Sequence, residues 1–486
     1  MAVPDQVLMP PKTPKLIGRT GDRVARTRNI RLAALIREAD WSQEQTAAQF
    51  VRVAAETGVP ELLGTRRSHV SMWVLGTRPT GQAPAILCET LSRRLQRRIT
   101  PAEAGLASAE DDPAAAPEWS TDNTLAVLTD LGRSDLDSDR RQLLSRTAYS
   151  VTGLGLPGRA WWDDAPAQSR ERVSPTGRRV GATEVEAVRE MTAFFSRRDQ
   201  RWGGAGGRAP LVQYLCTDLA TYLGGSFPDE RVRRDLFAAA AELTYLCGWM
   251  SFDASHHGAA QKYYTLAVRL AAEADDAPLA GHILRAMAHQ AVDLGHVKQA
   301  VDLAAASMER RRYALAGPRE KALLSVVQAR SLASAGRKKD ALGALLRAED
   351  DLASAGAGDE EPQRVWFFSE ASLAHETACT LRDLGDLPAS QREFRRSVRT
   401  REASTFSRTH SVTLGYLGAV QARQGQVEAT CATWSRALDI MEGVNSGRAR
   451  ETVITMRRAL SPFRNRDVGV IKELDSRART RLGRVT

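Results

Sequence analysis

From Asn29 onward the apolar residues fall at helical spacings. Leu32, Leu35 and Ile36 form one face of a first helix, which ends at Asp40-Trp41. Ser42-Gln43-Glu44-Gln45 reads as a capping box in which Ser42 caps and Gln45 reaches back. It opens a second helix through Ala47, Ala48, Phe50, Val51 and Ala54 to Gly58. A connection over 59–64 leads to Thr65–Pro79, where the pattern predicts a short helix capped at Thr65 and stopped at Gly76. Val70 and Trp73 share one face of it, and Arg66, Arg67, Ser68, His69 and Ser71 crowd its front. Pro84 starts a further helix with Ile86, Leu87, Leu91 and Leu95, and Thr100-Pro101-Ala102-Glu103 starts a last short turn. From Thr183 the chain reads as helix nearly to its end, with breaks every ~15–25 residues, as stacked helical hairpins require. The predicted fold class is all-α.

Between and before these blocks the pattern lapses. Residues 1–28 contain Pro4, Pro10, Pro11 and Pro14 without an apolar core segment, and read as a disordered basic arm rather than a secretory signal. Residues 29–107 form the first folded unit, 108–181 a linker that opens on Ala109–Pro117 and carries a helix near 138–151, and 182–486 a repeat domain. Gly153–Gly158 matches G-x-G-x-x-G as a string, but no strand precedes it and Pro157 would break the phosphate-binding turn. Gly203–Gly207 lacks the Gly-Lys-Ser/Thr ending of a P-loop.

The repeat domain shows a register. Turns align at Gly295, Gly336, Gly385 and Gly425, with Ser255 replacing glycine in a fifth. Seven residues before each stands Gly248, Ala288, Ala329, Ala378 or Gly418, and five after it Ala260, Ala300, Ala341, Ser390 or Thr430. Twelve after it stands Ala267, Ser307, Ala348, Ser397 or Ala437. The ninth position, Tyr264, Ala304, Leu345, Phe394 or Trp434, is mostly large and is expected to fill the space between hairpins. Small residues at fixed places let the two helices of a hairpin approach closely. This is the tetratricopeptide (TPR) pattern, with turns 40 to 49 residues apart instead of the usual ~34. Residues 183–200 and 210–224 are expected to extend the array, and 464–482 to cap it.

Such arrays bind partners in the groove lined by the first helix of each hairpin. Counting back from the turns places Glu242, Tyr245, Trp249, His282, Arg285, His289, Arg330, Ser372 and His375 there. His282, Arg285, His289 and Asp293 form one polar stripe, either a groove wall for an anionic or peptide partner or a solvated face. His282 and His289 stand two helical turns apart, about 10.5 Å, too far to share an ion, so no metal site is expected.

Composition sharpens the reading of the first block. The chain of 486 residues is 43% hydrophobic and only 6% aromatic, which suits a helical soluble protein of more than one unit. Its net charge is +10, of which residues 1–109 supply 16 Lys/Arg against 9 Asp/Glu, a net +7. Clustered positive charge at that end favours a phosphate backbone or an anionic membrane surface. No run of 18 apolar residues exists, so no spanning segment or membrane partner is expected. Five scattered cysteines without a C-x-x-C pair fit free thiols in a reducing cytoplasm. No nucleophile elbow, H-E-x-x-H, P-loop or carboxylate pair is found, so neither an enzyme nor a cofactor is expected.

Short helices with Trp41-Ser42-Gln43-Glu44, Ser68-His69-Val70-Ser71-Met72-Trp73 and Gly76-Thr77-Arg78-Pro79 resemble a lambda-repressor-like (XRE-type) helix-turn-helix domain. Ser42 to Val70 spans 28 residues, longer than in the compact domain, so the second helix and its connection are expected to be extended. With the repeats, the chain resembles actinomycete XRE–TPR transcriptional regulators, in particular the negative regulators of Streptomyces differentiation (NsdA type). The resemblance implies a cytoplasmic, nucleoid-associated repressor of development (sporulation) and antibiotic production, a homodimer on double-stranded DNA. Arg66, Arg67, Ser68, His69 and Ser71 would enter the major groove. Ser42 and Gln43 would hold a phosphate at a helix N-terminus, with Arg78 and Arg28 or Arg31 adding contacts. Val70, Trp73, Trp41 and Leu75 would be the seat. The repeat groove would take a peptide, small-molecule or protein effector, acting on the DNA-binding heads through the linker. The alternative is a TPR scaffold or adaptor whose N-terminal helices bind protein instead of DNA.

Overall fold

The computed structural model describes residues 27–57, 60–106, 119, 124–137, 149–150, 156–171, 177–356, 358, 360–463 and 469–483. Most of the arm expected at 1–28, the helix expected near 138–151 apart from 149–150, and Gly153 and Gly155 lie outside these residues. The fold is all-α; among the described residues the only extended pairing is an isolated bridge between Arg179 and Ser226.

The head contains α1 (Ile30–Glu38), α2 (Gln43–Thr57), a single 3-10 turn (Pro60–Leu62), α3 (Arg67–Val74) and α4 (Ala83–Leu95). Each start has a local cause. The Asn29 side chain accepts from the Leu32 N–H, and Pro84 lies in the first turn of α4. The capping box is reciprocal: the Gln45 N–H donates to Ser42 Oγ at 3.1 Å, and the Ser42 N–H donates to Gln45 Oε1 at 2.8 Å. Leu32, Leu35, Phe50, Val53, Val70, Trp73, Ile86, Leu87 and Leu91 close a core of the head's own, with the Phe50 and Trp73 rings 5.3 Å apart. The long interval from Ser42 to Val70 is taken up by the 15 residues of α2 and the 3-10 turn.

The array contains five hairpins: Glu230–Asp253 with His257–Glu273, Ala277–Asp293 with Val297–Ser307, Pro318–Ser334 with Lys338–Ala353, Glu370–Asp383 with Leu387–Thr400, and Ser407–Arg423 with Val427–Ile440. The aligned turn residues all have left-handed backbone, with φ of 63° at Ser255, 78° at Gly295, 71° at Gly336, 87° at Gly385 and 74° at Gly425. The same six-to-one hydrogen bond closes every turn, for example from the His296 N–H to the Ala291 carbonyl and from the Gln426 N–H to the Gln421 carbonyl. The three small-residue columns are buried throughout.

The ninth-position residue packs between neighbouring hairpins at Phe394, whose ring lies 6.2 Å from that of Tyr416 in the next hairpin, but at Tyr264 and Trp434 it also fills its own hairpin. A Cβ on Gly248 would lie 2.7 Å from the Tyr264 ring, and one on Gly418 would collide with the Trp434 indole. The small residue of the first helix is therefore the socket for the large residue of the second. Gly418→Ala is expected to destabilise the array by about 1–3 kcal/mol through overpacking. Gly336→Ala, at a turn with open space around it, should cost only about 1 kcal/mol of backbone strain. Urea midpoints of the two variants check this; a smaller loss at Gly418 than at Gly336 would contradict the socket.

Residues 108–181 are more than a linker. Thr124–Leu136 and Arg159–Arg170 are helices whose Leu128, Leu131 and Ala165 are buried, the two leucines in the array's own core. Glu273 accepts from the hydroxyls of Thr124 (2.6 Å) and Ser169 (3.0 Å), and Arg208 pairs with Asp135. Leu128 and Leu131 stand three apart on one helical face, which the Pro- and Ala-rich stretch before them obscured.

The array also closes on itself. The helix Ala182–Trp202 packs against both the first hairpin and the fifth. Arg408 of the fifth hairpin bonds Asp199 at 3.0 Å and Asp253 at 3.1 Å, all three buried. The Asn445 N–H donates to the Trp202 carbonyl at 2.7 Å. Gly447–Leu460 and Gly469–Gly483 then cap the end.

Candidate nucleic-acid interface and the interior of the array

α3 has two unlike faces. Val70, Trp73 and Val74 are buried against α2, while Arg66, Arg67 and Ser68 are exposed and His69 and Ser71 half-buried. No ion pair engages Arg66 or Arg67 among the described residues. The start differs from the expectation. Thr65 does not cap: its hydroxyl donates back to the Leu62 carbonyl at 2.8 Å. Arg66 holds the N-cap position in extended backbone, and its N–H donates to His69 Nδ1 at 3.1 Å. A histidine side chain thus does what an N3 Glu or Gln usually does, turning one face of His69 back onto the helix. Leu75, expected in the seat, is 57% exposed, and Val74 takes its place below. Trp41 is partly buried beneath the head core, with the Arg94 guanidinium 5.8 Å from its ring.

The end of α3 carries a second set of cations. The Thr77 N–H reaches the Met72 carbonyl at 2.9 Å, and Gly76 turns with φ of 101°. Only glycine fits there, because a Cβ would collide with the Thr27 carbonyl. The Asn29 N–H donates to the Val74 carbonyl at 2.9 Å, tying the segment before α1 to α3. Exposed Arg28 and Arg78 consequently line one cleft beside Trp73 and Gly76. Arg31 lines the same cleft, with its guanidinium on the Ala102 carbonyl. At the front of α2, Ser42 is exposed and Gln43 half-buried, and the dipole of the helix start faces outward beside them. Exposed Glu44 in that first turn opposes an anion.

The residues expected along an open groove lie in a packed interior. Tyr245, His282, Arg285, His289, Arg330, Ser372 and His375 are buried, and Glu242 and Trp249 are half-buried. The cause is the closure described above, which turns the concave face inward. There the polar stripe becomes a network. His282 Nδ1 meets Glu320 at 3.0 Å, and its Nε2 receives Arg285 at 2.8 Å. Arg364, missed by the sequence reading, grips Glu320 at 2.7 and 2.9 Å and Glu242 at 3.0 Å. Arg330 bridges Asp293 and Glu376, both at 3.0 Å, beside His289. Burial pushes His282 and His375 down to about 3, so both are neutral. Burial raises Glu320 and Glu376, but Arg364, His282 and Arg330 outweigh it and hold both carboxyls at about 2. No group of three or more His, Cys, Asp or Glu suited to a metal occurs among the described residues.

Head and array meet at a seam that the sequence reading also missed. Arg93 of α4 grips both oxygens of Glu56 at 2.8 Å, bonds Glu89 at 2.9 Å and donates to the Tyr149 carbonyl at 2.9 Å. The Tyr149 ring stacks on His296 of the array at 5.2 Å, and Gln96 bonds Gln299. Ser150 exchanges two backbone hydrogen bonds with the Gln261 amide. None of the described helices is long and apolar enough to cross a membrane.

Residues 32–107, nearly the whole head, match the model of a family described as the SP15 N-terminal domain. No curated protein and no solved structure matches the chain.

Proposed function

We propose that the chain is a DNA-binding transcriptional regulator, not an enzyme, in which the head reads double-stranded DNA and the array governs the head. The observation that carries the reading is α3: an exposed Arg66-Arg67-Ser68 front above a buried Val70, Trp73 and Val74 seat, in a head that together with the basic residues before it supplies +7 of the chain's net +10. Arg66, Arg67, Ser68 and Ser71 reach base edges. His69 contributes through Nε2, since Nδ1 is held by the Arg66 N–H. Arg28 and Arg78 bind the phosphates beside the end of α3, and Ser42 and Gln43 bind one at the start of α2. Two heads of a homodimer reading half-sites about one helical turn apart would give a palindromic operator. The resemblance to the actinomycete regulators adds the expected role: a repressor of development and antibiotic production in the cytoplasm.

An effector in the array would act through the Arg93–Glu56–Tyr149 seam rather than through a loose linker. A scaffold reading has one observation in its favour. Met72 on α3 and Leu75 at its C-cap are exposed, 42% and 57%, and suit a protein contact.

Salt dependence separates the two. Fluorescence anisotropy of the full chain on genomic DNA fragments between 50 and 200 mM salt should give log K falling steeply with log salt, by about 0.9 for each phosphate neutralised. No binding, or binding indifferent to salt, would reject the DNA reading in favour of the scaffold.

A further inference from the structure

The buried arginines inside the array are not treated alike. Arg408 has Asp199 and Asp253, Arg330 has Asp293 and Glu376, and Arg364 has Glu320 and Glu242. Arg448 shares Asp293 at 3.5 Å. Arg285 and Arg401 have no carboxylate within ion-pair reach among the described residues. Arg285 donates to the Tyr245 hydroxyl at 3.0 Å and to His282 Nε2 at 2.8 Å. Arg401 donates to the Ala371 carbonyl at 2.9 Å and to Ser397 Oγ at 3.3 Å. All four partners are neutral. The Nε of each guanidinium is buried with no acceptor, although the residues are only 1% and 8% exposed. A buried guanidinium without a counter-charge is unfavourable, and a planar fork with a free N–H edge is suited to two oxygens of an anion.

Both arginines line the same cavity on the inner face of the array. The Glu376 carboxylate lines it too, but Arg330 already holds it. Trp249, Leu323 and Phe368 form an apolar wall. The space open to the centre of a water molecule is about 60 Å³, room for about four to six water-sized groups.

We propose that this cavity is a binding site for a compact oxyanion, of the phosphate or short-chain carboxylate class, held between Arg285 and Arg401. Burial, helped by Arg408, outweighs the opposing Glu376 and pushes Arg401 down to about 10, so the chain's own carboxylates do not fully compensate this cation. The size of the cavity excludes a peptide and favours a ligand of about five heavy atoms. The proposal rests on the array being an effector-binding unit and is independent of DNA binding by the head.

Thermal unfolding of the full chain tests it, in sodium phosphate and in sodium propionate, each against sodium chloride at matched ionic strength and pH 7.5. A saturable rise of the midpoint by several degrees is expected with at least one of the two, and which one saturates assigns the class. Arg401→Gln should abolish the rise, while Arg231→Gln, at an exposed position outside the cavity, should keep it. Wild-type crystals soaked in tungstate give a readout that needs no variant, with an anomalous peak expected beside Arg285 and Arg401. No saturable rise with either anion, a rise that survives in folded Arg401→Gln, or tungstate bound only elsewhere would overturn the proposal. DNA affinity measured without either anion reports on the head separately.

Discussion

Replacing Arg66 and Arg67 by alanine is expected to weaken binding of the chain to its DNA sites by on the order of a hundredfold or more. The seat of α3 is Val70, Trp73 and Val74, with Trp73 against Phe50, and neither arginine contributes to that core. Both are exposed and neither holds an ion pair among the described residues, so the head should fold unchanged without them. Surface substitutions of this kind usually change stability by less than about 0.5 kcal/mol. The prediction is therefore a loss of affinity without a loss of fold, read by anisotropy and circular dichroism on the same samples. An unchanged affinity in the folded double variant would mean that another surface reads the DNA, or that none does.

Acidification from pH 7 to pH 5 is expected to cost the folded state on the order of 5 kcal/mol, through the buried histidines of the array. His282, His289, His375 and His410 are all buried, and burial lowers all four, to about 3 for His282 and His375 and about 4 for His410. A base whose folded pKa is depressed takes up its proton mainly on unfolding. Its stabilising contribution is complete above about 6.5 and shrinks as pH falls toward the folded value, by about 1.4 kcal/mol per pH unit for each group. Asp199 opposes the trend. Burial outweighs Arg408 and pushes it up to about 6, so its protonation favours the folded state as pH falls below that value. Burial raises Glu242 as well, and two such groups offset only part of four. Below about 4.5 the loss steepens, because Glu320 and Glu376 have folded values of about 2. Urea midpoints at pH 7, 6 and 5 measure the effect, and a midpoint that stays level or rises toward pH 5 would contradict it.

How much of this was legible in the chain depended on how local its cause is. The capping box at Ser42–Gln45, the stop at Gly76 and the left-handed turns from Ser255 to Gly425 are decided within six residues, and the pattern reached them. So did the small-residue columns, since each is a helix contact repeated in register. What the small residues face was not legible. Gly418 against Trp434 is a contact within one hairpin, and periodicity alone does not distinguish it from one between hairpins. The cap of α3 was misplaced by one residue because His69 does the work of a Glu or Gln, a substitution that no spacing rule anticipates. The interior of the array was the largest departure. Arg408 meets Asp199 across 209 residues and Asp253 across 155, and that closure turns the expected groove wall into buried ion pairs. The seam at Arg93, Glu56 and Tyr149 was hidden for the same reason, since its parts lie 37 and 56 residues apart.

The central claim is that α3 reads DNA sequence in the living cell. Mapping the chain's binding sites across the genome of its own cells, with Arg66→Ala/Arg67→Ala mapped beside it at equal protein level, tests that claim most directly. The account predicts discrete sites that share an inverted repeat, with half-sites about 10 base pairs apart or a multiple of that, and their loss in the double variant. A wild-type profile without discrete sites, or one that the double variant reproduces, would contradict it.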